Sequence, residues 1–159
     1  MAALVSLIIG AIVFLWIISR ARGQDEPNTS NVIRINEERP RRMSRKLGYN
    51  IKVAGISRRV SVATDFIRGM SQRLELEREP DNLVDANAVK VIGIWLDGSS
   101  NIHREQLGYV PREAAALIGI QPPDFPLVAT LQVMFPPARD RSPGIRFDIW
   151  TKRDSQKRK

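Results

Sequence analysis

The chain has 159 residues, a formal net charge of +8, no cysteine and a single histidine, His103. These counts exclude disulfides, thiolate zinc sites, cysteine nucleophiles and multi-histidine metal sites, and they leave no partner for a serine–histidine pair elsewhere. With an apolar start set aside, the length allows one small domain with a modest core. The charge is uneven: residues 19–50 carry eight Arg or Lys against four acids, residues 151–159 five against one, and residues 51–150 twelve against twelve. A neutral body argues against a broad footprint on duplex DNA, while basic flanks suit phosphates of nucleic acid or lipid.

Ala2 to Ile18 contain no charge and only Ser6 as a clear polar side chain. At 1.5 Å per residue such a run spans about 25 Å, close to the minimum for a bilayer core. Trp16 stands where an interfacial anchor is expected, and Arg20 and Arg22 follow with no basic residue ahead of the run. The pattern predicts a transmembrane anchor over residues 1–19, single-pass, with the C-terminal domain in the cytoplasm. A cleaved signal peptide is the first alternative, but it calls for a basic start that is missing here. The second is a buried globular helix, yet a run apolar on every face is hard to bury in so small a domain.

Residues 20–47 read as a basic flexible linker, within which Val32–Ile35 fits a short strand or a fleeting contact. Its arginines suit anionic lipid, at about 1 kcal/mol per basic residue near the surface. Ordered structure is expected over residues 48–151. Tyr49 to Ala54 alternates as a half-buried strand, and Gly55 suggests a bulge or a close backbone approach. Val62, Phe66 and Met70 recur every four residues, predicting a short helix entered after Ser61. Arg73 to Glu79 alternates again, with Leu74 and Leu76 on one side, and Pro80 ends that strand because it lacks an amide hydrogen. Asp81 to Asn87 is a turn-forming loop. Ala88 to Trp95 is the most β-prone stretch, Asp97 to Asn101 a turn, and His103 is expected beside it. Gln106 to Val110 forms a strand, Pro111 opens a helix over Arg112 to Ile118, and Val128–Phe135 and Gly144–Thr151 close the domain. Residues 152–159 read as a basic disordered tail. About six strands and two short helices make a mainly β fold, a barrel or a sandwich.

The string Leu76-Glu-Arg-Glu-Pro-Asp-Asn-Leu-Val-Asp-Ala-Asn-Ala-Val-Lys-Val91 resembles the signature of the HIRAN family. Val53-Ala-Gly-Ile56 upstream and Leu107-Gly-Tyr-Val-Pro-Arg112 downstream resemble its first strand and its glycine-centred strand with the following helix. The resemblance covers residues 50 to 120 and implies a compact OB-like β-barrel. In the better-known members this is an accessory module that captures the 3′-hydroxyl end of single-stranded DNA. By position, Asp85 matches the aspartate that accepts the terminal hydroxyl, and Val84 stands where DNA-binding members often carry an aromatic. Tyr109 and Arg112 match a ring and a basic phosphate contact. Ser57-Arg58-Arg59 occupies the place of an Arg-Tyr-Tyr motif, so Arg58 and Arg59 replace two stacking rings, each worth about 1–3 kcal/mol per base.

Structural roles compete at each position. Asn82 and Asp85 suit backbone-capping turns, Arg78 suits pairing with Glu75 or Glu79, and Tyr109 suits a barrel wall. The acidic spacing of this loop lacks the glycine and distant glutamate of a calcium loop. No nucleophile–base pair, phosphate-cradling glycine loop or metal cluster can be assembled, so the chain reads as a binding module with no cofactor and no enzymatic activity. The sequence thus predicts a membrane-tethered module for single-stranded nucleic acid that uses Arg58, Arg59, Asn82, Asp85, Tyr109 and Arg112. Its rival is an adaptor holding a protein partner or anionic lipid at the membrane.

Overall fold

A computed structural model of the protein describes residues 32–35, 40, 43 and 45–151. The anchor expected over residues 1–19, the linker residues 20–31, 36–39, 41, 42 and 44, and the tail 152–159 lie outside the described residues. Among the described residues no helix is long and apolar enough to cross a membrane.

The elements run β1 (Ile33–Arg34), β2 (Arg45–Lys52), a 3-10 turn (Ile56–Arg58), α1 (Val60–Arg68), β3 (Met70–Arg78), β4 (Val89–Leu96), β5 (Ile102–Tyr109), α2 (Arg112–Gly119), β6 (Leu127–Phe135) and β7 (Gly144–Thr151). They build two antiparallel sheets, ordered β1-β6-β7-β2 and β3-β4-β5. The mainly β fold with two helices is therefore as expected, but no closed barrel is found among the described residues. β3 packs beside β6 without a ladder between them. On the other side the sheets are joined by one bridge, in which Ala54 and Tyr109 exchange N–H···O bonds of 2.8 and 2.9 Å. Closure of the barrel would need paired strands at both seams.

Period-two alternation sorts the four-stranded sheet into two faces. Ile145, Phe147 and Ile149 of β7, with Leu131 and Met134 of β6, are buried against the core. Arg146, Asp148 and Trp150 belong to the other face. β4 is buried along almost its whole length, which is why it reads as an unbroken apolar run. Phe66 of α1 is fully buried and meets Trp95 of β4 edge-on, with ring centroids 5.7 Å apart.

Several local expectations shift. Helix α1 starts at Val60 and buries Ala63, Phe66 and Ile67, whereas Met70 is exposed at the start of β3. β2 starts at Arg45, and β1 pairs with β6, so residues assigned to the linker belong to the sheet. Gly55 has φ 75°, with nothing within 4 Å of an added Cβ. It is there for a left-handed turn and not for a close approach. The close approach lies at Gly108, where a Cβ would stand 2.2 Å from the Ala54 carbonyl oxygen.

Candidate functional site

The loop between β3 and β4 carries most of the signature, and it is held by its own side chains. Asn82 Oδ1 accepts the amides of Val84 and Asp85 at 3.0 and 3.1 Å, while Asp85 Oδ1 accepts that of Asn87 at 2.9 Å. Asn82 Nδ2 donates to Glu79 Oε2 at 2.8 Å. These are the short-range bonds that Asn and Asp offer a turning backbone. The loop's apolar tip is left in water, with Leu83 and Val84 both exposed.

The loop faces the end of β5 and the start of α2 across a cleft of about 330 Å³. Asn82, Val84, Asp85, Tyr109 and Arg112 all line it, together with Ala54 from the seam. Four of the six expected site residues therefore converge there. Arg58 and Arg59 do not line it: Arg58 is exposed on the 3-10 turn, and Arg59 donates to Gln106 Oε1 at 3.0 Å. Both lie within five residues of Ala54 in the chain.

Glu79 organises the cleft, and the sequence reading had assigned it only as a partner for Arg78. Its Oε1 pairs with Lys90 Nζ at 2.6 Å, and its Oε2 accepts from Asn82 and, at 3.2 Å, from the Tyr109 hydroxyl. The Lys90 ammonium first, then the Asn82 amide, hold the Glu79 carboxyl below the usual carboxylate range. Lys90 shifts up in return. The tell-tale signal was the parity of β4: Lys90 is the charged position beside an otherwise buried strand, directly across from Tyr109.

Arg78 pairs with neither Glu75 nor Glu79. Its guanidinium donates to the carbonyls of Ile118 and Pro122 at 3.2 and 3.1 Å, tying the end of α2 to β3. Glu75 is instead bridged, with Glu77, by Arg104 from β5.

The backbone-capping role of Asp85 is observed and engages only one of its two oxygens. One carboxylate oxygen caps the loop, while Oδ2 has no hydrogen bond among the described residues, its nearest cation being Arg112 Nε at 3.6 Å. Asp85 is largely covered and the Arg112 side chain is 78% exposed. The cleft thus offers a hydrogen-bond acceptor, a tyrosine ring, a mobile-length cation at the rim and an apolar lip. Among the described residues no group of His, Asp or Glu could hold a metal.

No curated protein and no solved structure matches the chain. The family model of the HIRAN domain matches residues 49–119, a span that contains every residue of the cleft. The HIRAN domain is associated with nucleic-acid binding, DNA in particular. The match ends at the close of α2, so β1, β6 and β7 lie outside it.

Proposed function

We propose that this protein binds single-stranded DNA without catalysis, receiving a 3′-hydroxyl end in the cleft between the β3–β4 loop and α2. The carrying observation is the convergence of Asn82, Asp85, Tyr109 and Arg112 on that cleft, with Asp85 Oδ2 left without a hydrogen-bond donor. An ionised carboxylate only accepts, so it takes a terminal hydroxyl and repels a terminal phosphate. Arg112 reaches a backbone phosphate from the rim, and Tyr109 offers its ring to a base. Val84 supplies apolar contact where other members often carry an aromatic, with Leu83 exposed beside it. Asn82 serves by holding the loop, since its amide is committed to Val84, Asp85 and Glu79.

The N-terminal run Ala2–Ile18 tethers the domain to a membrane with its C-terminal side in the cytoplasm. This rests on apolar length and on Arg20 and Arg22 alone. A reporter fused to the C-terminus tests it; labelling from outside an intact cell overturns the orientation.

For the cleft, the full chain is titrated with 3′-hydroxyl and 3′-phosphate oligonucleotides over a salt series. The expected result is a preference for the hydroxyl that Asp85→Asn abolishes. Equal affinity for both ends, unchanged by Asp85→Asn, overturns end capture.

A further inference from the structure

The fold adds residues of the basic N-terminal flank to one sheet of the formally neutral body, and cations gather there. Strands β1, β2, β6 and β7 carry Arg34, Arg45, Lys46, Lys52 and Arg146 against one acid, Asp148. Strands β3, β4 and β5 carry Arg73, Arg78, Lys90 and Arg104 against Glu75, Glu77 and Glu105. The one acid of the basic sheet is buried and already neutralised: Asp148 Oδ2 is 2.7 Å from Lys46 Nζ, and its Oδ1 accepts the Asn50 amide at 2.7 Å.

The cross-strand register puts three of the remaining cations on one face. Lys52 stands opposite Arg146, Arg146 opposite Val133, and Val133 opposite Arg34. Directly opposed residues point to the same side, and like charges there repel. Arg34 and Lys52 have no ion pair among the described residues to offset that repulsion. A local conflict of this kind marks a place where an anion is expected.

Aromatic rings share the face. Trp150, of the same parity as Arg146, is fixed by its indole N–H donating to Thr130 Oγ1 at 2.9 Å. Lys46 Nζ lies 4.5 Å from the Trp150 ring and 4.7 Å from that of Tyr49, which is 76% exposed. The Phe135 ring centroid is 5.8 Å from the Arg141 guanidinium and 5.9 Å from that of Arg146. Rings and cations on one face are what a single strand needs, because every base has a face to stack and every link a phosphate to pair. β2 leads from this face toward Ala54 at the cleft, which lies two residues beyond the end of the strand.

We propose that the outer face of the β1-β6-β7-β2 sheet is a second nucleic-acid surface, across which the strand upstream of the captured end runs. It uses Tyr49 and Trp150 as stacking rings and Arg34, Lys52 and Arg146 as phosphate contacts. β6 and β7 fall outside residues 49–119, so this surface is a property of the whole chain and not of the HIRAN span alone. It rests on the reading of the cleft as the end site, and the test separates the two.

The full chain is titrated with a 3-nucleotide and a 15-nucleotide oligonucleotide in wild type, Tyr49→Ala and Lys52→Gln/Arg146→Gln. Tyr49→Ala removes the ring beside Lys46 but leaves both partners of the Lys46–Asp148 ion pair in place, and none of the three residues belongs to the core. For the longer strand, Tyr49→Ala is expected to weaken binding about ten-fold. The double variant should lower the slope of log affinity against log salt by about 1.4, the value for two phosphates on a single strand. The 3-nucleotide ligand should bind all three proteins alike. Equal losses on both ligands, or none on either, overturn the surface and leave the Asp85 test standing by itself. Sheet-dependent binding with no preference for the 3′-hydroxyl overturns the cleft reading and keeps the surface. If the variants weaken only the binding of phosphatidylserine vesicles, the face belongs to lipid and the proposal fails.

Discussion

Gly108→Ala is the sharpest probe of how the domain is held shut at its seam. The backbone of Gly108 is one that alanine adopts freely, so any effect is steric. An added Cβ would stand 2.2 Å from the Ala54 carbonyl oxygen and 2.8 Å from Val53 Cγ1. The first contact is with backbone that itself accepts the Tyr109 amide at 2.9 Å, so relief requires the strands to part. Overpacking of a tight site costs about 1–3 kcal/mol and each lost hydrogen bond about 1 kcal/mol, so about 3 kcal/mol is expected. That is a large share of the about 5–15 kcal/mol that holds a typical domain, and it lowers Tm by about 10 °C. Gly98→Ala is the matched control, since nothing lies within 4 Å of its Cβ and it should melt within about 2 °C of wild type. Thermal unfolding followed by circular dichroism measures both. Oligonucleotide binding well below Tm should fall for Gly108→Ala as well, because Ala54 and Tyr109 form one wall of the cleft. A Gly108→Ala protein that melts with the control refutes the role of the seam.

Two further outcomes follow from the cleft's supports. Glu79 has a folded-state pKa below its unfolded value, so its contribution is present above about pH 4.3 and is lost as pH falls through the folded value. Glu79→Gln should therefore be less stable than wild type at pH 7, and denaturant titrations should show the gap narrowing below about pH 4; a gap independent of pH contradicts the pairing with Lys90. Arg78→Ala should cost about 1–2 kcal/mol through the two carbonyls it leaves behind, read as a shift in the denaturation midpoint. An equal loss in Glu75→Gln would mean that Arg78 acts through that acid after all.

The sequence by itself determined the elements and the chemistry of the loop. Alternation along Gly144–Thr151 and Leu127–Phe135, and the apolar run of β4, are local signals written in neighbouring residues, and they fell within a residue or so of the observed strands. The Asn82 and Asp85 turns were legible for the same reason, since each side chain bonds amides two or three residues away. What periodicity does not encode is which strand lies beside which. Register decided that Arg78 reaches Ile118 and Pro122 rather than its acidic neighbours, and that Glu79 binds Lys90 and Tyr109. It also left the two sheets joined at Ala54–Tyr109 in place of a closed barrel, and it drew residues from the expected linker into the sheet. Charge shows the division most clearly. Counting along the chain puts Lys52 and Arg146 in a neutral stretch and Arg34 in a basic flank, because a sum has no position. Only the pairing of β2 with β7 and of β6 with β1 brings Lys52, Arg146 and Arg34 into one row, where their repulsion has a direction and a ligand can answer it.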